Sequence, residues 1–278
     1  MKAVRAIALA FALLCCPSAS NAAPMASRFA LQGDMRQGGV VLGTAPQGVI
    51  ALALDGRPVP IGPDRRFILG FDRDQAVAAA LVAQLRGGTA VTETLAVAPR
   101  AWQVEHVDVA QRPSRATPEY LAMRTRELDR IKAARARDSA SGGWRQRFIW
   151  PARGRISGRF GSQRVYRGEP GAYHSGVDVA AGAGAPVAAP AEGVVVLAGP
   201  PAFSLEGNLV IVDHGMGLNS AFLHLSSIDV RQGDVVRQGQ RIGAVGATGR
   251  ATGPHLHWSM KWADARIDPA ALAAPMER

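Results

Sequence analysis

The chain of 278 residues has only two cysteines, Cys15 and Cys16, both in its first apolar stretch. Without that stretch no disulfide can hold the fold, and stability must come from a packed core, a bound metal, or both. Aromatic residues make up 6% of the chain, which predicts a core of Val, Ala, Leu and Ile. Acidic residues are outnumbered, 22 against 32 Lys and Arg, for a formal charge of +10. No His-Glu-x-x-His occurs, so the helical zinc motif with its glutamate base is excluded.

The first residues predict a secretory leader spanning residues 1–22. Lys2 and Arg5 precede the apolar run Ala6 to Cys16, Pro17 breaks it, and Ser20-Asn21-Ala22 ends in small residues suited to cleavage. The run is shorter than the roughly 20 residues needed to span a bilayer. Leu14 before Cys15, where a small residue would be needed, argues against lipid attachment. Removing Lys2 and Arg5 and no acid leaves a charge of +8. Secretion makes nucleic acid a poor partner for that charge; an anionic envelope polymer or membrane surface is the better one. No transmembrane segment is expected in the mature chain, and its location would be periplasmic or secreted.

Length allows two domains of ordinary size, and 31 glycines with 18 prolines favour β structure over a helical bundle. Residues 24–110 read as a small β accessory domain. Apolar runs at Phe29–Leu31, Val40–Leu42, Val49–Leu54, Phe67–Leu69 and Val91–Val97 are separated by turn residues such as Asp55-Gly56. Ala78–Leu85 suits a strand or a helix. His106 stands alone among Val104, Glu105 and Val107, as a strand-surface residue would. Residues 111–146 read as a basic helical linker. Thr117-Pro118-Glu119 is a helix start, and Leu121, Leu128 and Ile131 form a narrow apolar stripe. The stripe could pack across the two domains or the arginines around it could meet an anionic partner, but a solvated connecting helix is the plainer reading. Ser139–Gly143 has the composition of a flexible break.

Residues 147–275 carry the chemistry. Short strands are expected at Val187–Ala189, Gly193–Leu197, Leu209–Val212, Ala221–Leu225, Asp234–Val236, Ile242–Val245 and His255–Met260, with no convincing helical period. Four of the six histidines fall in three motifs: Tyr173-His174-Ser175-Gly176-Val177-Asp178, Phe222-Leu223-His224-Leu225-Ser226 and Gly253-Pro254-His255-Leu256-His257-Trp258. Imidazole and carboxylate are zinc ligands when sulfur is absent, and a catalytic zinc takes three of them with one position left open. The glycines around His174 and Asp178 suggest a loop entering a strand, so that both reach one ion. His255 and His257 are two apart and share one face of a strand, which suits one ring on the metal and one beside it. His224, on an apolar strand, would pair with His255 across the cleft. His214, in Val212-Asp213-His214-Gly215, reads as a structural residue at a hairpin turn.

These motifs resemble the lysostaphin/LytM-type zinc metallopeptidases, which cut peptide cross-links in peptidoglycan. The family pattern of His-x3-Asp, His-Leu and His-x-His is matched by His174 to Asp178, His224-Leu225 and His255-Leu256-His257. Ala185-Pro186-Val187, Val212-Asp213-His214-Gly215 and Gly246-Ala247-Thr248-Gly249 match as well, so the similarity covers roughly Arg155 to Pro269. The resemblance implies an antiparallel β catalytic domain and one zinc on His174, Asp178 and His257. It also implies catalytic assistance from His224 and His255, and peptidoglycan as substrate. Phe222 departs from the family's usual tyrosine but keeps its ring. Degenerate members that lost their ligands regulate amidases instead; this chain keeps every ligand. Gly233 to Gln240 also resembles biotinyl and lipoyl carriers, but the only lysine after residue 132 is Lys261, outside any hairpin tip.

Overall fold

In the computed structural model, residues 29–110 and 117–276 are described; the leader expected at residues 1–22 lies outside them. The N-terminal part holds β1 (Ala30–Gly33), β2 (Val40–Thr44), β3 (Val49–Leu54), β4 (Arg57–Val59), β5 (Arg66–Gly70), β6 (Ala78–Leu85), β7 (Ala90–Ala96) and β8 (Val104–Val107). After α1 (Pro118–Arg135) come β9 (Arg155–Gly158), β10 (Gln163–Tyr166), β11 (Glu169–Pro170), β12 (Val177–Ala180), β13 (Pro186–Ala188) and β14 (Gly193–Leu197). The chain continues through β15 (Asn208–Asp213), β16 (Leu218–Leu225), β17 (Ser227–Ile228), β18 (Val235–Val236), β19 (Arg241–Ala244), β20 (Leu256–Trp262) and β21 (Ala265–Ile267). The protein is mainly β, and every strand pair is antiparallel except β8 with β10. No helix among the described residues is long and apolar enough to cross a membrane.

The N-terminal strands form two sheets, β1-β2-β5 and β4-β3-β6-β7. Ala78–Leu85 is a strand: alternate residues Ala79, Leu81 and Ala83 are buried, as period-two patterning requires. Asp55 and Gly56 both take positive φ and close the β3–β4 hairpin as a two-residue turn. The C-terminal half is built on the sheet β18-β14-β15-β16-β20-β12-β9, with β21 added on β20. The core is mostly Val, Ala, Leu and Ile, as the composition predicts, with aromatic rings as its largest members. Trp258, Trp262, Phe29, Phe67, Phe71, Phe148 and Phe222 are among the largest fully buried side chains, because most of the few rings are spent inside.

The two halves share one hydrophobic core that runs from Phe29 to Ile267. β5 lies directly on the C-terminal sheet: a Cβ at Gly70 would sit 2.7 Å from the Cβ of Trp262, so only glycine permits that approach. Arg73 is buried at the junction, donates to the Gly161 carbonyl and to Gln163 Oε1, and lies 4.6 Å from the centre of the Tyr173 ring. Trp102 packs edge-on against Phe160, and Arg100 pairs with Asp268 at 2.8 Å. His106 does lie on an exposed strand, but β8 joins β10 and β11 rather than the N-terminal sheets.

Two expectations for the connector, a helix solvated all round and a free glycine break, fail on contacts distant in sequence. Thr117 caps α1 through its side chain, accepting from Tyr120 N–H, as the start signal implies. Yet Leu121 and Leu128 are exposed, 55% and 49%. The face turned to the C-terminal sheet carries Arg124, Glu127, Ile131 and Ala134 instead. Glu127 accepts from the N–H and hydroxyl of Ser204, each at 2.6 Å, while Arg124 bridges Glu127 and Glu206. Ala134 and Ile131 pack on Phe203, Leu209 and Ile211. Ser139–Gly143 is docked, not free: Ser139 donates from N–H and hydroxyl to Asp213, and Gly142 N–H donates to Glu192. Glu127→Ala should destabilise the protein by about 1–3 kcal/mol, the scale for leaving such donors without their acceptor. Chemical denaturation checks this; Leu128→Gln, on the exposed side, should change the midpoint little.

Candidate metal centre

The antiparallel register of β12 with β20 places Asp178 opposite His257. His174 enters from the loop before β12 and extends its ring to the same carboxylate. Asp178 Oδ1 lies 2.8 Å from His257 Nδ1, 3.1 Å from His174 Nε2 and 3.8 Å from His255 Nε2. One potential ligand atom from each of His174, Asp178 and His257 falls within 4.8 Å of the others. Two imidazoles and one carboxylate suit zinc, and three ligands leave a position open. The space is kept by glycine: a Cβ at Gly176 would lie 2.8 Å from His257 Nε2.

Backbone carbonyls set the tautomers of His224 and His255, because a carbonyl only accepts. His174 Nδ1 faces Arg159 O at 3.2 Å and Nε2 faces Asp178 Oδ1 at 3.1 Å, so both of its ring nitrogens point at acceptors and either can donate. His224 Nδ1–H donates to Thr248 O and His255 Nδ1–H to Gly253 O, each at 2.8 Å. In a neutral ring each would therefore carry its lone pair on Nε2, and the ring centroids are 4.9 Å apart. The His224 and His257 rings are 6.3 Å apart. The five residues of the three motifs are thus gathered in one place. Composition marks none of the carbonyl partners, since any residue supplies a carbonyl, although Thr248 lies in the Gly246–Gly249 motif.

Electrostatics agree with this division. Burial alone would raise the Asp178 carboxyl, but hydrogen bonds from His174 and His257 outweigh it and hold the carboxyl well below the usual range. Burial works against charge on His174 too, yet Asp178 raises it net. Burial depresses His257 and His224, only partly offset by Asp178 and by Thr248 respectively.

His214 stands apart from the cluster. It is fully buried, with Nδ1–H donating to Glu192 O, Nε2 accepting from the Ser220 hydroxyl, and Phe148 edge-on to its ring. Burial pushes it down to about 4. The unfolded chain binds this proton near pH 6.5, the folded chain only near 4. Its contribution is therefore complete above pH 6.5 and is lost as pH falls toward 4, by about 3 kcal/mol. Thermal unfolding between pH 7 and 4.5 should show the loss, and His214→Gln should reduce it.

Two histidines and an aspartate that could hold a metal ion thus converge where the neighbouring strands β12 and β20 begin and end in an antiparallel sheet, with His224 and His255 beside them. Residues 172–269 match peptidase family M23. A crystal structure of an M23 chain from Pseudomonas aeruginosa is 33% identical, with TM-score 0.66, covering 86% of this chain and 95% of that one. The chain belongs to peptidase family M23. Among curated relatives, the cell division protein DipM of Caulobacter vibrioides is 38% identical over 131 residues, 46% of this chain and 20% of that protein. The peptidoglycan DD-endopeptidase ShyA of Vibrio cholerae is 40% identical over 116 residues, 41% of this chain and 26% of its own. The chain thus spans about a fifth to a quarter of these curated relatives.

Proposed function

We propose that the protein is a zinc-dependent endopeptidase that hydrolyses peptide cross-links of bacterial peptidoglycan, in the periplasm or outside the cell after loss of residues 1–22. The observation that carries this reading is the convergence of His174, Asp178 and His257 beside two histidines that turn Nδ1 to backbone carbonyls. Membership of a peptidase family and a relative named as a peptidoglycan DD-endopeptidase support it. His174, Asp178 and His257 would hold one zinc per chain. When bound, zinc would supply Lewis acidity toward a carbonyl and bring the pKa of water down to about 7. His224, kept neutral by burial, is suited to take a proton at Nε2. His255 Nε2 faces the same cleft and, once protonated, can donate to a developing oxyanion. The N-terminal strands would act as a scaffold for the loop bearing His174, because Arg73 packs on Tyr173.

A regulator or binder of the same fold, acting on cell-wall amidases or on peptidoglycan without turnover, is the alternative; the complete ligand set favours the enzyme. Incubating the purified protein with intact sacculi, with and without chelator, and weighing the released products tests this. Chelator-sensitive release of cross-link fragments is expected. Zinc-loaded protein that binds sacculi and releases nothing would support the regulator instead.

A further inference from the structure

A groove of about 640 Å³ opens from the metal centre and runs beneath α1. Its floor is set by strand period: His257, Ser259 and Lys261 alternate along one face of β20, while Trp258, Met260 and Trp262 fill the core behind. Leu223 and Ala221 of β16 lie beside His257 and Ser259 in register. Ile131 and Arg135 of α1 form the wall. From His257 to Lys261 is four residues of strand, about 13 Å.

The far end gathers cations. Lys261 lies directly opposite Arg266 on β21 and Asn219 on β16. Like charges directly opposite on one face cost stability. Arg135 reaches down from α1 and donates to Asn219 Oδ1 at 2.6 Å. Among the described residues no carboxylate lies within ion-pair distance of Arg135 or Arg266. Lys261 pairs at 4.0 Å with Asp264, which is 94% exposed, and feels Asp72, whose carboxylate accepts from the Arg266 backbone N–H. Glu206, also on the groove, is already held by both terminal nitrogens of Arg124. Burial and the neighbouring cations hold Arg135 and Lys261 below their ordinary values, as expected of charges awaiting an anion. Arg266 also stacks over Tyr173, next to His174, so the cluster abuts the loop that carries a metal ligand.

We propose that this groove is a subsite for an acidic peptide, in which Arg135, Lys261 and Arg266 hold a free carboxylate about 13 Å from the reacting carbonyl. The inference rests on the hydrolase reading above and names what the site selects. An extended peptide of three to four residues spans that distance, and the peptides of bacterial cell walls carry free carboxylates on glutamate and on diaminopimelate.

The test uses full-length protein and a stem tetrapeptide, L-Ala-γ-D-Glu-diaminopimelate-D-Ala, with its C-terminus amidated. Two further forms have either the glutamate or the diaminopimelate carboxylate amidated as well. Binding by calorimetry needs no turnover. The free acid should bind about tenfold more tightly than one of the two amidated forms, the scale of a charge-assisted hydrogen bond or two; which form loses affinity identifies the carboxylate. Lys261→Ala with Arg266→Ala should bind all three alike at unchanged zinc content, whereas Lys261→Arg should keep the preference. On cross-linked substrate the loss should fall on KM rather than kcat. Equal binding of all forms by the wild type overturns the proposal, as does a preference that survives in the double variant. Cleavage without carboxylate preference would leave the hydrolase standing and remove the subsite. Carboxylate-dependent binding without any cleavage would do the reverse.

Discussion

His257→Ala is expected to lose both zinc and turnover, whereas His255→Ala and His224→Ala keep the metal and lose activity by about 100-fold or more, the scale of a positioned acid/base group. The difference follows from geometry. His257 Nδ1 and His174 Nε2 both lie on Asp178 Oδ1 within hydrogen-bond distance, but His255 Nε2 stands 3.8 Å away and His224 is not among the converging ligand atoms. If His224 and His255 act on one transition state, the double variant should cost much less than the product of the single losses. Metal content and sacculus cleavage measured together on all four variants decide the matter. Zinc retained by His257→Ala and lost from His255→Ala would reverse the two assignments.

Removing everything before Trp144 should leave a chain that does not fold to a rigid state. The composition of Ser139–Gly143 suggests a free boundary, and on that reading the shortened chain would fold and cleave. The packing argues otherwise. Trp262 and Ile267 lose the β5 backbone that lies on them at Gly70, Phe160 loses Trp102, and β10 loses its parallel partner β8. Uncovering a large buried side chain costs about 1.5–3 kcal/mol, and a few such losses match the whole stability of a domain, about 5–15 kcal/mol. Solubility, near-ultraviolet circular dichroism and the sharpness of thermal unfolding check this. A soluble, cooperatively unfolding and zinc-loaded fragment would show that the shared core is dispensable.

The convergence of the five residues was legible because its signals are local. His174, Asp178, His224, His255 and His257 sit in short motifs whose glycine turns and two-residue spacing dictate loop and strand geometry without distant partners. The start of α1 was legible for the same reason, since Thr117 and Pro118 act within one turn. Its buried face was not. Arg124 and Glu127 turn inward only because Glu206 and Ser204, some 80 residues on, complete them, and nothing near Leu121 announces that it will face water. The strands β9, β10, β11 and β12 are short and rich in arginine, serine and glycine around their ends, so alternation gives little purchase. Lys261 is informative only beside Arg266 and Arg135, an arrangement that exists once β21 and α1 are in place.

His224 has φ of +63°, a left-handed backbone one residue before the end of a buried strand. Any side chain other than glycine, and to a smaller degree asparagine or aspartate, carries a penalty of about 1–2 kcal/mol there. The kink directs His224 N–H to Glu206 O and the ring to Thr248 O, and so turns the imidazole toward the cleft. Stability and activity therefore pull in opposite directions at this one position. Selection for heat resistance alone should drift residue 224 toward glycine or asparagine and yield sturdier, inactive descendants. Selection for cleavage should hold the histidine in place and let stability be recovered elsewhere in the sheet.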